Sequence, residues 1–271
     1  MIGNRSFAQL VAAASGALLI VTGLSACSSS SASDTLAYCT DPTYPPAEFY
    51  QVSRVGTADL RRVITGADID IGTAVAHKLD KRTRFVSTPF SEIIQRLLDK
   101  KCDAIISLMN DTPQRRTRVS FVDYLAAGQD IMLRKGTAPV NHVADLYGRS
   151  VSVAVSTTEA DFLAAANKSA PSGQQIKITS YKSENDAILA LRNGKVEAYF
   201  GDAPIVQSAV AADSSLVRGA ELVKPIPVGI ALRPGDSRIA KIQKAVNDLY
   251  GDGTMGRILA KWKFTRYALA T

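Results

Sequence analysis

The sequence predicts an α/β protein of two similar lobes, each a mostly parallel sheet flanked by helices. Strand-like and helix-like segments alternate along the chain, and the alternation restarts near Val151. A gap-free comparison of the chain with itself lays Ile94 on Ile188, Leu97 on Leu191, Lys101 on Lys195, Asp103 on Glu197 and Ala104 on Ala198. Strands separated by helices of about ten residues make βαβ units and parallel sheets.

Each element has its own signal. Leu36–Thr40 reads as a strand and leads into a proline-rich loop, Tyr44-Pro45-Pro46. Ile71, Val75 and Leu79 recur every fourth residue along one face of a helix. Arg84–Ser87 is a strand, Ile93, Ile94, Leu97 and Leu98 mark an amphipathic helix, and Asp103–Ser107 is a short buried strand. After the restart come strand Val151–Val155, helix Glu159–Ala166, strand Ile176–Tyr181, helix Asn185–Leu191 and strand Glu197–Phe200. Gln129–Leu133 and Pro227–Ala231 are short apolar runs joining the two halves.

Ahead of these elements lies a segment of another kind. Arg5 is the only charge before an apolar stretch from Leu10 to Leu24, after which Leu24-Ser25-Ala26-Cys27 meets a serine tract. A charged start, a short apolar core and a small-residue processing site make an export signal. The stretch is shorter than the roughly 20 residues a membrane span needs. Its end resembles a bacterial lipobox, which implies lipidation of Cys27 as the mature N-terminus and an extracytoplasmic, lipid-anchored protein. ATP, NAD and nucleic acid are then not its ordinary partners. The net charge of +7 concerns anionic lipid or cell-wall polymer more than DNA.

With Cys27 acylated, Cys39 and Cys102 remain in an oxidising compartment, which suggests a bridge. Strand geometry argues against one. Cys39 ends one strand and Cys102 precedes another, so parallel neighbours would hold them beyond the roughly 7 Å Cα limit. The sequence leaves both open. It carries two histidines and no cluster with metal-ligand spacing, no nucleophile elbow and no phosphate-cradling glycine loop. Neither enzyme chemistry, a metal nor a cofactor is expected.

Open parallel sheets bind ligands beyond the carboxyl ends of their strands. There one lobe offers Thr112-Pro113-Gln114-Arg115, a capped helix start with an arginine beside it, suited to a carboxylate. Arg116 and Arg118 read as surface residues. The other lobe offers Ser156-Thr157-Thr158-Glu159 at a helix start and Gly201-Asp202 after a buried strand. A buried Asp202 needs a cation or a capping role.

These segments, in this order, resemble the family 3 extracellular solute-binding proteins of ABC importers. The resemblance runs from Cys39-Thr-Asp41-Pro-Thr-Tyr44-Pro-Pro through Gly66-Ala-Asp68-Ile-Asp70-Ile, Asp103-Ala-Ile-Ile-Ser107, Thr112-Pro-Gln-Arg115, Thr157-Thr158 and Gly201-Asp202 to Gly253-Thr-Met-Gly-Arg-Ile-Leu-Ala-Lys-Trp262. It implies a two-lobed, type II periplasmic-binding-protein fold with two crossover strands. On that pattern residues 1–26 are the signal peptide and 27–34 the anchor linker. Residues 35–132 and 227–271 form one lobe, and 133–226 form the other. The resemblance puts a ligand α-carboxylate on Arg115, aided by Asn110, Thr157 and Thr158, and an α-ammonium on Asp202, aided by Ser107. Tyr44 and Phe90 become aromatic walls, and Asp41 sits where side-chain selectivity is often set.

Some residues depart from the pattern: Asn110 stands where a small hydroxyl residue is common, Met109 adds bulk, Gln51 to Thr65 is a polar insert and Ala67 replaces an aromatic. Asp41 and Glu48 permit a basic side chain, though Asp41 also suits a neutral amide. The expected protein is a monomer that captures a polar amino acid and delivers it to an ABC permease. A sensor presenting its closed form to a membrane receptor is the alternative. A dehydratase-like enzyme on the same fold would need an acid or base beyond the clamp, and none is identifiable.

Overall fold

The structure, a computed structural model, describes residues 34–55 and 59–270. The export segment and Cys27 lie outside them. No helix among the described residues is long and apolar enough to cross a membrane.

The chain runs β1 (Thr35–Thr40), β2 (Thr43–Tyr44), β3 (Glu48–Val55), β4 (Asp59–Thr65), α1 (Ala67–Lys78), β5 (Arg82–Ser87), α2 (Ile93–Leu98), β6 (Ala104–Ile105) and α3 (Pro113–Arg116). It continues through β7 (Ser120–Arg134), β8 (Ser150–Ala154), α4 (Thr158–Asn167), β9 (Lys177–Tyr181), α5 (Glu184–Arg192), β10 (Ala198–Asp202), α6 (Ala203–Ala212), β11 (Leu216–Leu232), α7 (Ile239–Gly251) and α8 (Thr254–Lys261). The expected strands and helices are present, most shifted by a residue or two at their ends, but the two crossing runs, 129–133 and 227–231, are parts of much longer strands, β7 and β11.

One eight-stranded sheet, ordered β5-β1-β6-β11-β7-β10-β8-β9, carries the whole architecture. Its order is a near-palindrome. β1 pairs in parallel with β5 and β6, just as β8 pairs in parallel with β9 and β10. Between these trios lie β7 and β11, antiparallel to each other from Ser120↔Leu232 to Arg134↔Leu216. They contain the two apolar runs expected to cross between halves. β6 meets β11 and β10 meets β7, so the strands matched in the internal repeat hold corresponding places. The carboxyl ends of β1, β6, β8 and β10 consequently face one central region.

The polar insert forms most of an antiparallel hairpin, β3–β4, paired from Phe49↔Thr65 to Val55↔Asp59. Gly66 ends it with φ +140°, and a Cβ there would lie 2.1 Å from the Ala47 carbonyl oxygen. Glycine is therefore a steric necessity where the hairpin feeds α1.

Cys39 and Cys102 are joined by a disulfide with Cα atoms 5.6 Å apart, against the register argument. Cys39 pairs with Ile105, so three residues of extended chain would separate Cys102 by about 10 Å. Instead the chain bends over residues 101–103 and turns Cys102 under the sheet. Both cysteines pack with Ile93, Leu97, Ile105 and Val119.

Candidate functional site

Where the strand ends converge, a small cleft opens between the halves. Asp41, Tyr44, Glu48, Phe90, Ser107, Asn110 and Arg115 line it from one side. Ala154, Thr157, Glu159, Lys182, Glu184 and Asp202 line it from the other. Every ligand-binding residue expected from sequence lines this cavity except Thr158, which stands directly behind it.

Arg115 owes its position to a short helix start. Thr112 caps α3, its hydroxyl accepting the Arg115 amide at 3.2 Å, and Pro113 follows at the first helical position. The guanidinium donates to the Asn110 carbonyl at 2.9 Å and to the Ser156 carbonyl at 3.3 Å, tying one half to the other. It lies 5.4 Å from the centre of the Phe90 ring. Burial lowers its pKa, while Glu159, Asp202 and Asp161 act in the opposite direction.

Arg116 lies at the surface as expected, but it also has a partner. Its exposed guanidinium pairs bidentately with Asp111, whose side chain is fully buried. It satisfies a buried charge rather than lying idle in solvent.

Asp202 ends β10 and occupies the cap position of α6, yet its side chain makes no capping bond. Instead Oδ2 accepts from the Tyr44 hydroxyl at 2.9 Å, and the Tyr44 hydroxyl accepts the Asp202 amide at 3.2 Å. Oδ1 is buried without a partner. Burial, then Glu159, push the Asp202 pKa well above the usual carboxylate range, with Glu184 adding to it; Tyr44 and Asn110 oppose the shift.

Ser107 is committed to the protein. Its hydroxyl donates to Glu48 at 2.8 Å and accepts the Asp41 amide at 3.0 Å. Asp41 is committed too, accepting the Phe90 amide at 2.8 Å. Burial raises the Asp41 pKa against bonds from Phe90 and Thr43. Thr157 caps α4, while Thr158 donates to Asn110 Oδ1 at 2.8 Å and accepts from Gln129 on β7. Asn110 Nδ2 is left buried and unpartnered.

Behind Glu48 stands Asp68, bonded to the Leu108 amide at 2.6 Å and to the Tyr124 hydroxyl at 2.8 Å. Burial together with Asp68 drives the Glu48 pKa up, and burial raises Asp68 to about 6.

Sequence reasoning missed Glu159 and Glu184. Both sit in the first turn of a helix, where an acid usually signals helix favourability and nothing more. Here both are buried. Tyr199 donates to Glu184 at 2.8 Å. A Cβ at Gly201 would fall 2.0 Å from the Tyr199 hydroxyl, so glycine makes room for that bond. Burial first, then Glu159, raise Glu184 to about 8. The cavity thus gathers five carboxylates against Arg115 and Lys182.

A family model described as bacterial extracellular solute-binding proteins, family 3, matches residues 36–266. ABC transporter arginine-binding protein 1 of Escherichia coli (strain K12) is 27% identical over 239 residues, covering 86% of this chain and 92% of its own. The histidine-binding periplasmic protein of Salmonella typhimurium is 28% identical over 240 residues, covering 82% and 85%. Among solved structures, an ancestral arginine-binding protein bound to arginine is 30% identical with a TM-score of 0.75, covering 84% of this chain and 98% of that one. The same description with glutamine bound matches at 29% and 0.75, covering 85% and 98%.

Proposed function

This chain belongs to the family 3 bacterial extracellular solute-binding proteins, and we propose that it captures a cationic amino acid and delivers it to an ABC importer permease. The excess of buried carboxylates in the cleft carries this reading. Burying them without a counter-cation is costly, and a ligand with a positive side chain offsets that cost. The likeness to arginine- and histidine-binding proteins supports it.

The ligand's α-carboxylate takes Arg115 and the helix start beside it, and its α-ammonium takes the free Oδ1 of Asp202. Tyr44 and Phe90 flank the ligand, Ser107 and Asp41 shape the floor, Asn110 and Thr158 tie its two sides together, and Thr157 lines the cleft from the start of α4. Residues 35–132 with 227–271 act as one lobe and 133–226 as the other, turning about the two long strands. A ligand touching both lobes stabilises the closed arrangement by its differential affinity. The protein is a monomeric carrier rather than an enzyme, held at the membrane by lipid on Cys27.

A thermal-shift screen of the twenty amino acids tests this. A ligand at 100 times its dissociation constant stabilises the fold by about 2.7 kcal/mol. Arginine, lysine or histidine is expected to lead. Stabilisation by acidic amino acids alone would overturn the reading.

A further inference from the structure

We propose that Glu159 and Glu184 are specificity-determining residues of this cleft: together they receive the side-chain cation of the bound amino acid, releasing a proton to solvent as it enters. This rests on the reading of the cleft as an amino-acid site and goes beyond it by naming the seat of the side chain.

Most acidic acceptors of the cleft are already engaged. Asp41 already accepts from Phe90. Glu48 accepts from Ser107 and lies against Asp68. Asp202 has one free oxygen, the one matched to an α-ammonium. Glu48 and Glu159 each keep one buried oxygen without a partner, and of the two Glu159, whose Oε2 accepts from Thr158, is the one whose charge acts on Glu184. Glu184 is its neighbour on the same half, held by Tyr199 alone among side chains. A cation with several N–H donors, such as a guanidinium, can satisfy two carboxylates at once.

The proton follows from crowding. From their own half, Asp202, Tyr199 and Lys182 face these two acids; from the other half come Asp41, Tyr44, Glu48 and Arg115. Only Arg115 and Lys182 are cationic, and Arg115 is engaged by two carbonyls. Burial raises Glu159 and lifts Glu184 to about 8, so without ligand the pair retains a proton at neutral pH. An incoming cation favours the ionised pair and expels that proton. Capture therefore strengthens as pH rises and weakens on acidification.

Calorimetric titration of the whole protein with L-arginine and L-glutamine, in two buffers of different ionisation heat at pH 7, tests this. Wild type should release a fraction of a proton or more with arginine and markedly less with glutamine. Glu159→Gln and, separately, Glu184→Gln should lower the arginine-to-glutamine affinity ratio by at least about 30-fold, the loss expected on removing one member of a buried charge pair. They should also flatten the pH dependence of arginine binding. Wild-type ratios and proton release in both variants would overturn the proposal while leaving amino-acid capture intact. Failure of wild type to bind either amino acid would remove both readings.

Discussion

Tyr44 donates its hydroxyl hydrogen to Asp202 Oδ2 at 2.9 Å, joining residues 158 apart in sequence across the cleft. The bond occupies one carboxylate oxygen and leaves the other free. Tyr44 is therefore both a wall of the cavity and the partner that aims Asp202. A hydrogen bond to a charged group contributes about 1.5–3 kcal/mol. Tyr44→Phe keeps the wall and removes the donor, so ligand affinity should fall about 10- to 150-fold, read by calorimetry. An unchanged affinity would mean that Asp202 needs no such aiming.

Arg115 carries the corresponding prediction on the carboxylate side. Arg115→Ala should lower affinity by about 2–5 kcal/mol, or roughly 30- to 4,000-fold. Arg118→Ala is the suitable control, because Arg118 donates only to exposed Gln95. Arg116 is unsuitable, since its removal strands Asp111.

Acidic residues set the pH response of the ligand-free protein. Glu184 titrates at about 8 when folded and Asp68 and Asp123 at about 6, all raised first by burial. An acid with a raised folded pKa binds more protons folded than unfolded, so stability falls as pH rises through that interval. The melting temperature of the ligand-free protein should therefore decline from about pH 4.5 to about pH 8 and level off above. A melting temperature that rises across that window would contradict the assigned protonation. Saturating cationic ligand should reduce the decline.

The bridge between Cys39 and Cys102 closes a loop of 63 residues of separation. Its removal should cost about 4 kcal/mol by loss of the constraint on the unfolded chain. Denaturant titration of Cys102→Ser, or of the reduced protein, measures this.

The proposed membrane attachment hangs on one residue. Cys27→Ser should leave an unlipidated, unprocessed precursor. Normal maturation and detergent partitioning of that variant would sink the anchor.

Much of the fold was legible because helical and strand periodicities are local. Ile71, Val75 and Leu79 mark α1, and the repeat marks the paired places of β6 and β10. The proposed clamp residues were legible at Arg115, where Thr112 and Pro113 announce a helix start, and at Asp202, which follows a buried strand; both line the cleft. What stayed hidden depends on packing between distant segments. Glu159 and Glu184 read as ordinary first-turn acids until the sheet carries both into one cavity. Arg116 reads as solvated until Asp111 is buried beneath it. The bridge was hidden because a bend before β6 overrides strand register.

On the proposed reading, a zwitterionic, cationic amino acid is held between Arg115 and Asp202, and calorimetric titration of wild type and Asp202→Ala with L-arginine decides it. Wild type should show saturable one-to-one binding and the variant a loss of at least about 30-fold in affinity, with the melting temperature of the ligand-free variant not lowered. Binding by Asp202→Ala within about threefold of wild type, roughly 0.7 kcal/mol, would contradict it.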